Sequence, residues 1–261
     1  MERSSGARLC AAVAVSALSI TLVTGCSDGG SKNAPAPETA RKALSAAELR
    51  KLIVAQDALP GYQVGAVPES RAKRITTDKT ACEPLTRVMS GLPPTAAPAS
   101  TDRLVTENAK KRPSGKPTSL DDMDEGEFEE TMQKSLDRDV TTVTLASYDG
   151  DGAERALTSL SAALKACAGG FTGRQAGTSV KFTKVAGEKP AGGGDASVAF
   201  AATMEEGGGG DGEGTAPVHA EVDRHGSTLS VYFTSNLGAM MARKAYTVTP
   251  AVVRAQETRL T

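Results

Sequence analysis

The sequence predicts an α+β fold, an antiparallel sheet with helices packed on one face. Two observations support this prediction. Residues 180–233 alternate apolar and polar side chains in successive runs, which is the period of strands that bury one face. Around Leu85 and Leu157, apolar residues recur instead every three or four positions, as they do in helices that bury one stripe. Helices and sheet are therefore expected to cover each other's apolar surfaces.

The first ordered element is expected at Ser45, which has the spacing of a capping box with Glu48. An apolar stripe at helical spacing follows, and Pro60-Gly61 is predicted to end the helix. The stripe consists of Leu49, Leu52, Ile53 and Leu59. Tyr62 to Val67 alternates weakly and is interpreted as a strand.

Cys82 is predicted to lie at the start of a short helix. Pro84 suits the first helical turn, because its missing N–H would be unpaired there in any case. The apolar residues Leu85, Val88 and Met89 follow at helical spacing, and Gly91 ends the element.

Residues 92–125 predict an exposed loop that is mobile at least in part. Prolines interrupt any long element, and a basic patch from Lys110 to Lys116 precedes an acidic one. The acidic residues between positions 121 and 130 could bind calcium weakly, although a solvated charged loop is the simpler interpretation. They are Asp121, Asp122, Asp124, Glu125, Glu127, Glu129 and Glu130.

Val140 to Tyr148 is rich in β-branched residues and predicts a strand. Asp149-Gly-Asp151-Gly predicts a turn, with Asp151 capping the next helix. This segment resembles the start of a calcium loop, but the fifth and twelfth positions are Ala153 and Leu160, which cannot coordinate calcium. Gly169-Gly170 ends the helix. Its apolar face is predicted to carry Leu157, Leu160, Leu164 and Cys167.

The remaining chain predicts an antiparallel meander and a final helix. Glycines 207–210 and Gly212 are interpreted as a connection between strands, since neither a phosphate-loop motif nor a following helix is present in the sequence. His225-Gly226 is a turn, and Thr249 is predicted to cap a helix that begins at Pro250. The inward-facing strand residues are Val180, Phe182, Val185, Ala196, Val198, Phe200, Ala202, Met204, Val218, Ala220, Val222, Leu229, Val231 and Phe233.

The first twenty-five residues have the layout of an export signal, with Arg3 and Arg8 before an uncharged apolar run. The run is shorter than a membrane-spanning helix requires. Residues 23–26, Val-Thr-Gly-Cys, resemble a bacterial lipobox, which implies cleavage before Cys26 and a diacylglyceryl group on its thiol. The alternatives are an ordinary secretory signal and an uncleaved anchor.

The sequence thus predicts a signal peptide at 1–25, and a lipidated Cys26 with a Ser-, Gly-, Ala- and Pro-rich tether at 26–43. A single α+β domain is predicted at 44–261. The predicted location is the cell membrane, with the protein anchored by lipid on the extracytoplasmic face.

Composition argues against several classes of protein. The net charge is −1, so no overall positive field favours nucleic acid. The chain contains no Trp and 3% aromatic residues, which argues against a base-stacking surface. Neither a nucleophile elbow nor an H-E-x-x-H motif occurs, so we expect neither an enzyme nor a cofactor.

Cysteine usage predicts one disulfide. Cys10 lies in the predicted signal and Cys26 is the proposed lipidation site, which leaves Cys82 and Cys167. Outside the cytoplasm, two remaining cysteines usually pair. The alternative is a pair of redox or metal-binding thiols, which no C-x-x-C spacing supports.

His219, Glu221, Asp223 and His225 share one face of a predicted strand, because side chains alternate along it. Histidine and carboxylate are zinc ligands. Since the neighbours Val218, Ala220 and Val222 face the core, a polar, solvent-facing surface is the preferred interpretation, and no metal is predicted.

At Thr80-Ala-Cys82-Glu-Pro84 and Ala166-Cys167-Ala-Gly-Gly-Phe171 the chain resembles PknH-like extracellular sensor domains and related actinobacterial lipoproteins. The strand and amphipathic helix between these motifs also fit, and the resemblance spans residues 45–235. It implies an antiparallel sheet with helices around a cleft that receives an unknown ligand outside the cell. Some members have two disulfides, whereas this chain has cysteines for one.

The function expected from these features is that of a membrane-tethered, non-enzymatic binding or sensing module. Its partners would be the membrane, through the lipid anchor, and an unknown small ligand or envelope protein. The alternative is a structural or protein-interaction lipoprotein of the cell envelope, and a hydrolase is the third choice. A cleft with an apolar lining would favour the first of these, and a filled core the second.

Overall fold

A computed structural model describes residues 42–71, 74–109, 125–205 and 215–261. The predicted signal peptide, Cys26, the tether up to residue 41, the acidic patch 121–124 and the glycines at 207–212 lie outside the described residues. Thr39–Thr261 forms one compact unit by its contacts.

The described strands form one nine-stranded antiparallel sheet, which confirms the predicted α+β class. Its order is β1-β3-β4-β9-β8-β7-β6-β5-β2. The strands are β1 (Tyr62–Gly65), β2 (Ile75–Thr76), β3 (Ala99–Glu107), β4 (Val140–Ser147), β5 (Phe171–Gln175), β6 (Thr178–Glu188), β7 (Ala196–Glu205), β8 (Thr215–His225) and β9 (Thr228–Ser235).

Six α-helices accompany the sheet among the described residues. They are α1 (Ala46–Leu52), α2 (Glu83–Met89), α3 (Glu125–Leu136), α4 (Gly152–Ala166), α5 (Leu237–Met241) and α6 (Pro250–Glu257). In this part of the chain, no helix is both long and apolar enough to cross a membrane.

Helices cover both faces of the sheet, so the prediction that they lie on one face was wrong. On the face that we call the α2/α4 face, helices α2 and α4 pack on inward residues such as Phe182, Phe200 and Val231. On the opposite α1/α6 face, Val143, Leu145 and Tyr232 pack with residues of α1 and α6. Since α1 and α6 come from opposite ends of the chain, no local pattern shows that they cover the same surface.

The meander from β6 to β9 confirms the prediction from alternation. Val180, Phe182 and Val185 all belong to the α2/α4 core, although strict alternation would place Val185 on the other face. A β-bulge between Phe182 and Lys184 inserts the extra residue that keeps them together. The spacing of three residues between Phe182 and Val185 in β6 is thus explained by the bulge.

Residues 99–107 correct the predicted loop at 92–125. They form β3, which pairs with β4 from Ala99↔Ser147 to Thr106↔Val140 and buries Val105 against the α1/α6 core. The segment Ala-Ser-Thr-Asp-Arg-Leu-Val-Thr-Glu has few apolar residues, and its position between proline- and charge-rich stretches concealed the strand. Residues 110–124 are outside the described part of the chain.

The disulfide between Cys82 and Cys167 is formed, as predicted. The two Cα atoms lie 5.9 Å apart, and both residues are fully buried in the α2/α4 core. Cys82 immediately precedes α2 and Cys167 ends α4, so the bond joins the two helices that cover this face. Gly170 then turns the chain with φ +89°, where an added Cβ would collide with the backbone oxygen of Phe182.

Several helix ends differ from the prediction. Helix α1 has the capping box of Ser45 and Glu48 but ends at Leu52, because the amide of Val54 donates 2.8 Å to the Gln256 side chain of α6 instead. Asp151 occupies the N-cap position of α4 without capping it and pairs with Arg155. Thr249 does not cap α6; its hydroxyl donates to Asp139, 3.0 Å away.

Candidate functional site

The α2/α4 face contains an open cleft of about 530 Å³ that the helices leave uncovered. Strands β6 to β9 and β4 supply its floor. The floor residues are Thr142, Val180, Phe182, Met204, Val218 and Phe233. Phe182 and Val218 are buried, while Met204 and Phe233 are only half-buried, so apolar surface of the sheet remains open to the cleft.

The walls of the cleft come from distant parts of the chain. The end of α2 contributes Met89 and Ser90, the segment before β2 contributes Ser70 and Arg71, and β2 itself contributes Ile75. The turn between β5 and β6 and helix α5 close the remaining sides with Gln175, Ala176, Thr178, Leu237 and Met240. The cleft therefore exists only once the sheet, α2 and α5 have assembled.

The lining is mainly apolar, with a small number of polar groups. Ligand sites in proteins commonly have this character and volumes of about 300–1,000 Å³. Arg71 is the charged residue among the lining residues that the structure describes. Methionines at positions 89, 204 and 240 add flexible apolar side chains that adapt to different ligand shapes.

Large apolar side chains extend from the cleft onto its rim. Leu237 lines the cleft and is 51% exposed, and Met241, one helical turn along α5, is 55% exposed. An isolated exposed apolar residue needs no explanation, but neighbours beside an apolar cleft enlarge the surface that is available to a ligand or a partner.

The residues once considered as zinc ligands lie on the α1/α6 face, away from this cleft. The expectation that they form a solvent-facing surface was wrong: His219, Glu221 and Asp223 are buried. Amides of the segment joining β6 to β7 donate to Glu221, and the Tyr246 ring packs against His219. Within the described part of the chain, no cluster of three or more His, Cys, Asp or Glu residues is arranged to hold a metal.

Buried His219 pairs with half-buried Glu188, with 2.9 Å between Nδ1 and the carboxylate. The imidazole also packs against the Tyr246 ring in an edge-on arrangement, at 4.5 Å between centroids. Burial raises the pKa of the Tyr246 phenol, whose hydroxyl donates to the Pro217 carbonyl. These contacts hold the imidazole in the core, so the role of His219 is structural.

Asp223 is the most perturbed carboxyl group in the described chain. Burial raises its pKa to about 7; the Ser197 hydroxyl opposes this, and the charges of Glu221 and Glu257 add to it. Burial likewise raises the pKa of the neighbouring Tyr232 phenol. A group of polar residues under a covering segment therefore lies on the face opposite the cleft.

The cleft could not be found by motif. Its lining residues extend from Ser70 to Met240, and those that belong to an apolar pattern, such as Phe182 and Val218, would fit a filled core equally well. The one usable sequence signal was the resemblance at Cys82 and Cys167, which implied a cleft but named none of its residues. Alternation correctly placed Val180, Met204 and Phe233 on the inward face without showing that this face stays partly open.

Comparison with known proteins identifies a structural similarity without a sequence family. No protein-family profile matches the chain, and no curated protein sequence matches it. The crystal structure of the extracellular domain of PknH from Mycobacterium tuberculosis aligns with 84% of this chain and 96% of its own, at 11% identity and a TM-score of 0.46. The similarity concerns the general fold and gives no information about a ligand.

Proposed function

We propose that this protein is a lipid-anchored, non-enzymatic binding module of the extracytoplasmic face that takes a small amphiphilic ligand in the cleft of the α2/α4 face. The open apolar lining beside Arg71, the one charged residue among the described lining residues, is the observation on which the proposal rests. The export signal and lipobox at residues 1–26 support the location.

The lining indicates the chemistry of the ligand. An apolar body would cover the exposed parts of Met204 and Phe233, with a gain of roughly 25 cal/mol for each Å² removed from water. The Arg71 guanidinium would pair with an anionic head group, and the hydroxyls of Ser70 and Ser90 would supply further hydrogen bonds. The ligand class is therefore an apolar chain that ends in an acid.

A fluorescence titration tests this proposal, because the chain contains no Trp and a single introduced indole reports on its own surroundings. The Phe233→Trp variant places the indole in the cleft, and Tyr62→Trp places it half-buried on the α1/α6 face as a control. The protein is the compact unit from Thr39 onward. The probes are dodecanoate and, with the opposite head-group charge, dodecyltrimethylammonium, both below their micellar concentrations.

We expect dodecanoate to change the emission of the Phe233→Trp variant saturably and to leave the Tyr62→Trp variant unchanged. Adding Arg71→Ala should weaken dodecanoate binding about tenfold or more, since a hydrogen bond to a charged group is worth roughly 1.5–3 kcal/mol. Arg74→Ala removes an exposed charge outside the lining and should have no effect. Equal responses at both indoles, or equal binding of both probes, would refute the proposed ligand class.

A protein-interaction role is the second candidate, and the exposed rim of α5 supports it. Leu237 and Met241 would be covered by a partner that lies across the mouth of the cleft. If the protein has this role instead, dodecanoate should not change the emission of the Phe233→Trp variant. Met241→Glu should then abolish binding of the partner protein.

A further inference from the structure

The connection between β6 and β7 crosses the α1/α6 face over buried carboxylates. We call residues 189–195 the strap. The amides of Ala191 and Gly192 donate to the Glu221 carboxylate at 2.8 and 2.9 Å, and the amide of Gly193 donates to Glu257 at 2.5 Å. Two acidic side chains, one from the sheet and one from α6, thus hold the strap in place.

The strap fits closely against its surroundings. A Cβ at Gly192 would collide with Val253 and Glu257, and one at Gly194 would collide with the Arg224 carbonyl. Asp195 anchors the far end, because its amide donates to the Arg224 carbonyl at 2.7 Å and its carboxylate accepts from the Gly226 amide at 2.7 Å. The strap is therefore held along its length by close packing and at its far end by hydrogen bonds.

Asp223 lies on the same face of β8 as Glu221 and is fully buried. Within the described part of the chain, neither of its carboxylate oxygens accepts a hydrogen bond of normal geometry, and the nearby Ser197 hydroxyl only partly opposes the rise of its pKa. The strand neighbours paired with it, Ser197 on β7 and Ser230 on β9, also have buried hydroxyls without partners, as does Tyr232. An ionised carboxylate in such a position would lack the hydrogen bonds that normally stabilise a buried charge.

The carboxylates near Asp223 increase this penalty, whereas a nearby cation would lower it. Glu221 on the same strand and Glu257 on α6 are both carboxylates, and the phenol of Tyr232 on β9 is buried. His225 and Arg254 line the solvent-facing side together with Glu257 and the strap residue Asp195. Two like charges that share a buried site cannot both ionise without cost, so the site retains a proton.

We propose that Asp223 holds a proton in the folded protein and that the strap closes over the Glu221–Asp223 pair only while this proton is bound. The strap is then an acid-stabilised latch. Loss of the proton leaves two carboxylates under the strap, whose amides donate hydrogen bonds to Glu221 and none to Asp223. This favours an open strap, because water can then reach the Asp223 carboxylate.

The direction of the pH effect follows from the shift at Asp223, whose pKa rises from an ordinary 3.8 to about 7. Once the strap opens, the carboxyl group meets water and its pKa returns towards the ordinary value. The closed state therefore binds more protons between these limits, and opening becomes more favourable as pH rises from about 4 to about 7 and then levels off.

Hydrogen exchange of the full chain in a non-ionic detergent tests the latch. The measured quantity is the opening constant at the amides of Ala191, Gly192 and Gly193, obtained after correction for the intrinsic pH dependence of exchange. We expect it to rise about tenfold or more between pH 5 and pH 7, as linkage to a single raised pKa requires. The Leu145 amide in β4 reports global unfolding, which also exposes Asp223, so its opening constant should rise with pH as well but stay far below that of the strap at every pH.

Asp223→Asn keeps the shape of the protonated group without its titration, so its strap amides should show a pH-independent opening constant. Asp102→Asn removes an exposed carboxylate on β3 and should retain the wild-type pH dependence. If Asp223→Asn does not fold, carboxyl carbon NMR of the wild type gives the pKa of Asp223 directly. A value near 4 would overturn the proposal.

Two further outcomes would also overturn the latch. One is the same pH dependence of the strap amides in Asp223→Asn and in the wild type. The other is strap protection that depends on added calcium at constant pH in the wild type and is lost in Asp223→Asn, because the buried oxygens would then hold a cation rather than a proton.

Discussion

Removal of the Cys82–Cys167 bond gives the largest stability change that we expect from a single substitution. The bond closes a chain segment with a sequence separation of 85. For a loop of this length, the chain-entropy model gives a stabilisation of about 4–5 kcal/mol. Both cysteines are fully buried where α2 and α4 meet, so the Cys82→Ala variant also loses packing. Cys167→Ala should lose about as much as Cys82→Ala.

Urea unfolding of the unit from Thr39 onward measures these losses as changes in the free energy of unfolding. The double variant should lose little more than either single variant, because both substitutions remove one shared bond. Val88→Ala, in the same core but outside the bond, provides the control and should add its own loss to that of Cys82→Ala. The reasoning fails if each single variant loses under about 1 kcal/mol, or if the two losses add in full.

Two other substitutions test the fold and the proposed anchor. Asn236→Ala removes hydrogen bonds from its amide to Asp137 and Asp139, at 3.1 and 3.0 Å, together with the cap of α5. It should cost roughly 2–4 kcal/mol in urea unfolding, whereas exposed Asn108→Ala should cost almost nothing; equal losses would contradict the role of this network. Cys26→Ser should move the protein from the detergent phase to the aqueous phase in Triton X-114 partitioning, and an unchanged distribution would contradict lipidation at this residue.

The sheet was predictable wherever a strand buries one face and the buried residues alternate. Strands β6 to β9 meet this condition, and even the bulge in β6 is visible as the offset between Phe182 and Val185. Strand β3 does not meet it, since Val105 is its one fully buried apolar residue. Its stability comes from pairing with β1 and β4, which no local pattern encodes.

The expectation that the polar residues of β8, from His219 to His225, face solvent was wrong for a related reason. Polar side chains that alternate with valines usually face water, but here the strap and Tyr246 contact them. These contacts come from about thirty residues to either side along the chain. Whether a polar face of a strand is exposed depends on such distant partners. The disulfide, by contrast, could be predicted because so few cysteines remained to pair.

The location of a bound amphiphile tests the central claim most directly. Methyl-labelled protein, from Thr39 onward, can be titrated with dodecanoate and followed by NMR. The account predicts saturable shifts at the cleft residues Val180, Met204 and Met240, and unchanged signals at Val105 and Val252 on the α1/α6 face. Shifts centred on the α1/α6 face, or unchanged signals throughout the cleft at saturating dodecanoate, would contradict it.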